Sequence, residues 1–361
     1  MNVKKSIEFE DLPPEIQETI HRFLPAKDLF SVAQTSHYLS SVTKIQSLWT
    51  QLKLDWRDIY ESHKFCKDLI KERYGKMRSV EITKRTKEKF YSINENEEFE
   101  RKLTTLMDLI LKSEALTSLK IDMKILVSDS LLSKISEKIS LTRIDLTGAW
   151  SKTKTLSPLC NLANLQSLKL YKMGHINSEE IDHLFSSMRN LKIVEVPNTT
   201  IQDSSIACLV KNNVKLNHLS INYCNSISSE GIEILAKACP SIQHVSMKMK
   251  RCGKLREADA LHLISSCPKL RHVGLSRIRD KTLKKIHEVC PEMESLSLEY
   301  AWVTVEGMTE LLTSAPRILN LDFNEYTPYL AICNFDEKFK KQHPASKVSI
   351  EFIHSDRPSE I

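Results

Sequence analysis

Three histidines recur at near-regular spacing in the second half of the chain. His218, His244 and His272 are separated by 26 and 28 residues. Imidazole titrates near neutral pH and is the commonest metal ligand in proteins, so a cluster of these side chains could bind a metal ion or respond to pH. The alternative, which we favour, is that they are solvated residues at a position that accepts any polar side chain. No metal site is therefore predicted, but the spacing itself requires an explanation.

The other reactive side chains form no enzyme signature. The sequence contains no phosphate-binding glycine loop, no dinucleotide-binding glycine motif, no HExxH and no GxSxG. His287-Glu288 is followed by Val-Cys-Pro and so fails the zinc-protease pattern. Nine cysteines are spread along the chain without the close pairs of zinc sites. We expect no catalytic residues and no cofactor.

The composition is that of an ordinary globular protein with one strongly basic segment. No apolar run approaches the roughly 18 residues that a membrane span needs. An odd number of cysteines without a secretory signal indicates free thiols in the cytoplasm or nucleus. Residues 248–285 hold twelve Lys and Arg against three Asp and Glu, and they contain no Phe, Tyr or Trp. The missing aromatic residues argue against binding to single-stranded nucleic acid.

A strand and a helix alternate through most of the chain with a period near 25 residues. In residues 216–242, Leu219 and Ile221 alternate with polar residues, which predicts a short strand with one buried face. A helical stripe follows and ends at Pro240, which cannot donate the next hydrogen bond. The equivalent strands begin at Leu116, Leu141, Leu165, Leu191, Leu216, Ile242, Leu270, Met293 and Ile318. A unit this short cannot bury its apolar faces alone, so the copies must stack.

This periodicity predicts an α/β solenoid of leucine-rich repeats, with parallel strands inside and helices outside. The Cys-Pro endings at 239–240, 267–268 and 290–291 resemble the cysteine-containing subclass of these repeats. We expect the solenoid to cover residues 77–354, with a polar insertion at 83–102. A last helix is predicted at 328–340, a closing strand at 348–352 and a disordered tail at 355–361.

Residues 8–56 do not follow the repeat. They predict three short helices, the first beginning after Asp11 with prolines in its first turn. A core of this size is small, so some of its apolar surface is expected to meet a partner.

The segment 8–56 resembles the F-box. The resemblance rests on a set of positions: Leu12-Pro13, Glu15-Ile16, Ile20, Leu24-Pro25, Asp28-Leu29, Val32-Ala33-Gln34, Ser36 and Leu48-Trp49. The segment departs from the pattern at Tyr38, where many F-boxes carry tryptophan. With the repeats behind it, the whole chain resembles F-box/leucine-rich-repeat proteins, and residues 57–76 resemble the bridging helix of that family.

The resemblance implies a substrate-recognition adaptor of a cullin-RING ubiquitin ligase. Family members dock through the F-box on a Skp-type linker subunit, and through it on the cullin and RING subunits, while their repeats hold the substrate protein. The linker contacts expected in this sequence are Leu12, Pro13, Ile16, Ile20, Leu24, Leu29, Val32, Ala33 and Trp49. Two alternatives stay open: these residues only form the helical core, or the chain is a repeat scaffold that binds a partner without ligase activity.

A substrate is expected on the strand face of the repeats or on the basic segment. Stacked strands would align the three histidines as a ladder on that face, together with Tyr171 and Ile193. The basic residues predict an acidic or phosphorylated partner segment, although a solvated loop is the alternative. The predicted substrate-binding residues are Tyr171, Ile193, His218, His244, Lys248, Arg251, Lys254, His272, Arg277 and Arg279.

Overall fold

The computed structural model describes residues 9–22, 24, 26–43, 46–83, 93–122, 126–147, 150–151, 155–171, 175–249, 253–315, 317–324, 335–344 and 346–353. The chain divides into two compact units, Met1–Lys152 and Thr153–Ile361. No helix in the described ranges is both long enough and apolar enough to cross a membrane.

The first unit begins with the three helices that the sequence predicts. They are α1 (Pro14–Arg22), α2 (Ala26–Ala33) and α3 (His37–Thr43). Their core contains Leu29, Val42, Leu48 and Trp49, all buried. The indole Nε1 of Trp49 donates a hydrogen bond of 2.5 Å to the carbonyl oxygen of Thr43 at the end of α3. This hydrogen bond holds Trp49, at the end of the helical segment, against the C-terminus of α3.

Strands and helices then alternate in the rest of the first unit. The elements are β1 (Gln51–Asp55), α4 (Trp56–Glu61), α5 (His63–Arg73), β2 (Ser79–Thr83), α6 (Ile93–Ile110), β3 (Ser118–Asp122), β4 (Leu126–Val127), α7 (Asp129–Ser136), β5 (Arg143–Leu146) and β6 (Trp150–Ser151). Strands β1, β2, β3 and β5 pair in parallel, with Leu52 beside Val80, Val80 beside Leu119 and Leu119 beside Ile144. These four side chains are buried, so the register aligns one apolar column.

The structure differs from the predicted boundaries in three places. The first strand of the array is β1, within the last residues of the segment predicted as F-box. The bridge at 57–76 contains two helices, α4 and α5. The second half of the predicted insertion 83–102 belongs to α6, which buries Phe99, Leu103, Leu106, Met107 and Ile110. This stripe starts only after the polar run Asn94–Glu98, which hid the helix in the sequence; residues 84–92 lie outside the described residues.

The second unit repeats the strand–helix pair. Its elements are β7 (Ser167–Leu170), α8 (Ser178–Ser187), β8 (Ile193–Glu195), α9 (Asp203–Asn212), β9 (His218–Ser220), α10 (Ser229–Ala238), β10 (His244–Ser246), α11 (Glu257–Ser266), β11 (His272–Ser276), α12 (Asp280–Val289), β12 (Ser295–Glu299), α13 (Val305–Ser314), β13 (Asn320–Asn324), α14 (Phe335–Gln342) and β14 (Ser349–Ile353). Its strands pair in parallel in chain order, and helices α8 to α13 pack side by side. The predicted α/β solenoid is confirmed.

Local chemistry sets the ends of each repeat. Ser228 accepts a hydrogen bond from the N–H of Glu230 at the start of α10, as an N-cap side chain should. The buried residues of the strands align in a column, for example Leu219 beside Val245 and Val245 beside Val273. The side of the sheet opposite the helices, which we call the open face, carries the alternate residues of each strand. The predicted last helix begins at Phe335, and residues 325–334 and 354–361 lie outside the described residues.

Candidate binding surfaces of the two units

One face of helix α1 exposes apolar side chains. Ile16 and Ile20 are 47% and 40% exposed and lie one helical turn apart. Pro13 is exposed, and Leu12 and Leu24 are half-buried. Gln17 and His21 are buried on the other side of the helix. The polarity of α1 is therefore reversed with respect to an ordinary amphipathic helix, because its isoleucines face outward.

The remaining residues predicted to contact a linker subunit lie elsewhere. Leu29 and Trp49 are only 4% and 2% exposed, so in this conformation they stabilise the helical core rather than face a partner. Val32 is half-buried on α2, and the side chain of Ala33 lies outside the described residues. The predicted set thus divides into an outward stripe on α1 and residues that hold the domain together.

A hydrogen bond explains why tyrosine is accepted at position 38. The buried amide Nε2 of Gln17 donates to the Tyr38 hydroxyl at 2.6 Å, and it also reaches the carbonyl oxygen of Leu12 at 2.8 Å. The phenol is 38% exposed, so its ring stays at the surface while its hydroxyl satisfies a buried amide.

The open face of the first unit is covered by ion pairs. Glu81 on β2 lies 2.8 Å from the ammonium group of Lys120 on β3 and 3.7 Å from that of Lys53 on β1. The hydrogen bond from Lys120 lowers the pKa of the Glu81 carboxyl. These charges satisfy one another across the strands.

On the open face of the second unit, the three histidines form a ladder. His218 pairs with His244, and His244 with His272, at the same register position of β9, β10 and β11. The ring centroids are 5.1 and 4.1 Å apart, and both pairs are stacked. The repeat spacing predicted this alignment, because equal phase in successive repeats places side chains side by side.

Each end of the ladder contacts a carboxylate. Glu195 lies 3.0 Å from Nε2 of His218 and 2.7 Å from the ammonium of Lys169. Burial favours the protonated form of Glu195, but the hydrogen bonds from His218 and Lys169 outweigh it and lower the pKa to about 2. At the other end, Glu294 lies 3.5 Å from Nε2 of His272 and forms a close ion pair with Arg271.

The central imidazole, that of His244, resists protonation. Burial lowers its pKa to about 4, and the neighbouring His272 and His218 act in the same direction. Stacked rings place their nitrogens side by side instead of directing them at one point. Among the described residues, no group of three or more His, Cys, Asp or Glu side chains could hold a metal ion.

Sequence reasoning missed a second polar contact on the same side of the sheet. The hydroxyl of Tyr223 donates to Oε1 of the buried Glu299 at 2.9 Å. Burial raises the pKa of Tyr223, and Glu299 raises it further. Tyr223 has a left-handed backbone with φ of 63°, which Asn198, Arg277 and Tyr300 share at the same place in their repeats. That repeated position after each strand was the available signal. Tyr171 and Ile193, which the sequence did predict, are half-buried on this face.

The described residues of the basic segment differ in burial and in their partners. Arg277 is half-buried, and its Nη1 donates to the carbonyl oxygen of Gly253 at 3.3 Å. Arg279 lies over the ring of Trp302 at 5.8 Å and is 3.7 Å from Glu257.

The other predicted basic residues differ from these two in exposure. Lys254, next to Gly253, is exposed, whereas Lys248 lies on the open face beside Gly274. Arg251 lies outside the described residues.

Comparison with known proteins agrees with this architecture. Residues 9–55 match the F-box-like family model. The chain is 23% identical over 180 residues to the F-box protein FBW2 of Arabidopsis thaliana, a match that covers 50% of this chain and 50% of that protein. The chain thus aligns with about half the length of this relative.

Solved structures similar to this chain include one with a related fold over most of its length. A chain in the crystal structure of the Rad7 and Elc1 complex in yeast gives a TM-score of 0.53 at 15% identity, with 88% of this chain and 90% of that chain covered. The leucine-rich-repeat protein LegL7 of Legionella pneumophila gives 0.43 at 13% identity, with 81% and 88% covered. Residues 9–55 thus match the F-box-like family, and the parallel strands and helices that follow agree with the resemblance of the sequence to F-box/leucine-rich-repeat proteins.

Proposed function

We propose that this chain is the substrate-recognition adaptor of a cullin-RING ubiquitin ligase. The observation that carries the proposal is the outward apolar stripe of α1 within a segment that matches the F-box-like model. A helix that exposes Ile16 and Ile20 next to Pro13 offers a ready surface for a second protein. In this proposal the partner is a Skp-type linker subunit, and catalysis belongs to other subunits of the ligase.

The division of labour within the F-box follows from burial. Ile16, Ile20 and Pro13 would contact the linker, with Leu12, Leu24 and Val32 at the edge of the contact. Leu29 and Trp49 would fix the helices that present this stripe. By analogy, the yeast structure of similar fold is a complex of Rad7 with Elc1, which supports a binary contact of the same kind here.

The second unit would hold the substrate protein on its open face. Between the ion pairs of Glu195 and Glu294, half-buried serine and histidine side chains of this face offer hydrogen-bonding groups to a partner. We place the activity in the cytoplasm or nucleus, since the cysteines that the structure describes are free thiols.

The linker contact can be tested with a charge introduced into the stripe. The double variant Ile16→Glu/Ile20→Glu should lose co-purification with a Skp-type linker subunit. Burial of each isoleucine is worth roughly 1.5–3 kcal/mol, so the loss should exceed about a hundredfold in affinity. Because both side chains already face solvent, circular dichroism should show an intact fold.

The matched control is Ile139→Glu, since Ile139 is 66% exposed in the same unit but outside the F-box-like match. It should bind the linker like the wild type. Equal capture by the double variant would contradict the adaptor proposal. If the wild-type chain recovers no linker or cullin subunit at all, the alternative of a repeat scaffold without ligase activity is favoured.

A further inference from the structure

A cleft lies beside the histidine ladder. Its volume is about 130 Å³, and it is lined by the three imidazoles, by Ser246, Ser295 and Ser297, and by Val245 and Val273. Gly274 lines it as well, and a Cβ there would collide with Oγ of Ser246 and lie 3.3 Å from Cε of Lys248. The absence of a side chain at this position keeps the cleft open and lets the end of the Lys248 side chain approach it.

Several hydrogen-bond donors around this cleft have no partner among the residues that the structure describes. In the part that the structure describes, Lys248 makes no ion pair, and the hydroxyls of Ser295 and Ser297 make no hydrogen bond. The imidazole of His244 contacts only its two stacked neighbours there. Ser246 differs, because its hydroxyl donates to Oδ1 of Asn222 at 2.7 Å. An ammonium group, two hydroxyls and one imidazole therefore remain available to a ligand.

The carboxylates around the cleft differ in whether they have ionic or hydrogen-bonding partners. Glu195 and Glu294, at the two ends of the ladder, are each held by two cationic or imidazole groups. Glu299 accepts from Tyr223. Asp322 on β13, paired with Ser297, is a competing carboxylate; burial raises its pKa, whereas Lys248 opposes that rise. Lys248 is thus a half-buried cation without a bonded anion.

We propose that this cleft binds one oxyanion, a carboxylate or a phosphoryl group, carried on a side chain of the partner protein. An ammonium with hydroxyl and imidazole N–H donors is the donor set that oxyanions require. The cleft volume accommodates one such group but not a folded element, so recognition would read a single acidic or phosphorylated residue. The inference rests on the proposed role of the second unit in holding the substrate, and it names the substrate's chemistry.

The test uses the full-length chain and three degenerate peptide pools, with phosphoserine, glutamate or unmodified serine at the central position. Fluorescence anisotropy measures affinity, and the ¹⁵N shifts of imidazole groups report contact, with His244 assigned by its disappearance in His244→Asn. We expect binding of the phosphoserine or glutamate pool with a shift at His244, and no shift with the serine pool. The stronger of the two acidic pools identifies the source of the oxyanion.

Three variants separate the cleft from general surface charge. Lys248→Met should weaken binding by about tenfold or more, since it removes a charge-assisted hydrogen bond. Asp322→Asn should strengthen binding, since it removes the competing charge. Lys254→Met, which alters an exposed lysine away from the cleft, should change nothing. Unchanged affinity in Lys248→Met, or no His244 shift with either acidic pool, would overturn the proposal.

The linker experiment keeps the two proposals distinct. Lys248→Met should still capture the Skp-type linker subunit, because the altered residue lies in the second unit and the linker surface in the first. Loss of peptide binding with intact linker capture would therefore bear on the cleft alone.

Discussion

The imidazole rings of His244 and His272 stack with centroids 4.1 Å apart and planes inclined by only 10°. The parallel register of β10 and β11 causes this arrangement, because it places both residues at the same level of adjacent strands. A second positive charge at this distance from a first is unfavourable, and burial penalises either charge further. Burial lowers the pKa of both rings, that of His244 to about 4.

This relationship predicts a loss of stability in mild acid. The folded-state pKa of His244 lies below the value of about 6.5 expected in the unfolded chain, so the unfolded chain binds more protons below that pH. The loss in the free energy of unfolding grows as the pH falls through 6.5 and reaches its full size below about pH 4. Since the ring is partly solvated, we expect about 1 kcal/mol between pH 7 and pH 5, measured from urea unfolding midpoints.

The variant His244→Asn should reduce that pH dependence, leaving the smaller part due to His272. Glu195 and Glu294 do not confuse the comparison, because carboxyls with lowered pKa values stay charged in both states down to about pH 5. His287→Asn, an exposed histidine on α12, is the control and should behave like the wild type. Identical pH profiles for His244→Asn and the wild type would show that the ladder does not affect stability.

The ladder could be predicted from the sequence, but its neighbours could not. Strand phase follows from the alternation of apolar and polar residues, so His218, His244 and His272 could be aligned by counting. The contact of Tyr223, which follows β9, with Glu299 on β12 joins residues 76 positions apart, and the repeat period does not indicate how far a side chain reaches across strands. In the same way, composition counts the charges of the basic segment but does not give the burial or the partners of each one.

Two glycines in the helices should resist substitution by alanine. A Cβ at Gly231 would collide with Oδ1 of Asp203. This oxygen accepts a hydrogen bond of 2.9 Å from the N–H of Ser228, and Oδ2 of the same carboxylate accepts one of 2.5 Å from the Ser228 hydroxyl. At Gly307 a Cβ would lie 2.5 Å from Cγ of Asp280, which caps Thr304 in the same way. Each bond joins one repeat to the next.

Gly→Ala normally stabilises a helix by about 1 kcal/mol. Here we expect the opposite sign, a loss of about 1–2 kcal/mol in the free energy of unfolding, because a charged acceptor must move away from its donors. Gly75→Ala is the control, since nothing lies within 4 Å of a Cβ there. Stabilisation by Gly231→Ala would show that Asp203 relaxes without cost.

The hydroxyl of Tyr38 should matter more to the F-box than its ring. Tyr38→Phe leaves the ring in place at the surface but removes one partner of the buried Gln17 amide. We expect a loss of about 1 kcal/mol, limited by the bond that Gln17 keeps to the Leu12 carbonyl. Hydrogen exchange at the amides of the F-box, measured during thermal unfolding, would give this loss of stability. Tyr38→Phe with wild-type protection of α1 would contradict this role.

One position recurs six residues before the first apolar residue of a strand, and its chemistry changes along the chain. It is occupied by Ser113, Asn213, Cys239, Cys267 and Cys290, all buried. The cysteines follow the last residues of their helices, and the thiol of Cys267 reaches the carbonyl oxygen of Cys239 at a distance of 3.8 Å. Asn213 does more: its amide donates to the carbonyls of Met188 and Leu209 and accepts from the N–H of Leu191, at 3.0, 2.9 and 2.7 Å.

Asn213→Ala should therefore be much more damaging than Cys267→Ala. The first removes the side-chain partners of two buried backbone groups, the Met188 carbonyl and the Leu191 N–H, for a loss of about 3 kcal/mol in the free energy of unfolding, while the Leu209 carbonyl keeps its bond from the backbone N–H of residue 213. The second removes a small apolar group, for about 1 kcal/mol. Asn213→Leu separates the two causes, because it restores volume without restoring hydrogen bonds. If the hydrogen bonds stabilise the repeat, Asn213→Leu unfolds at a urea concentration as low as Asn213→Ala does. If Asn213→Leu recovers the wild-type midpoint, the asparagine acts only by filling space, as the cysteines do in the following repeats.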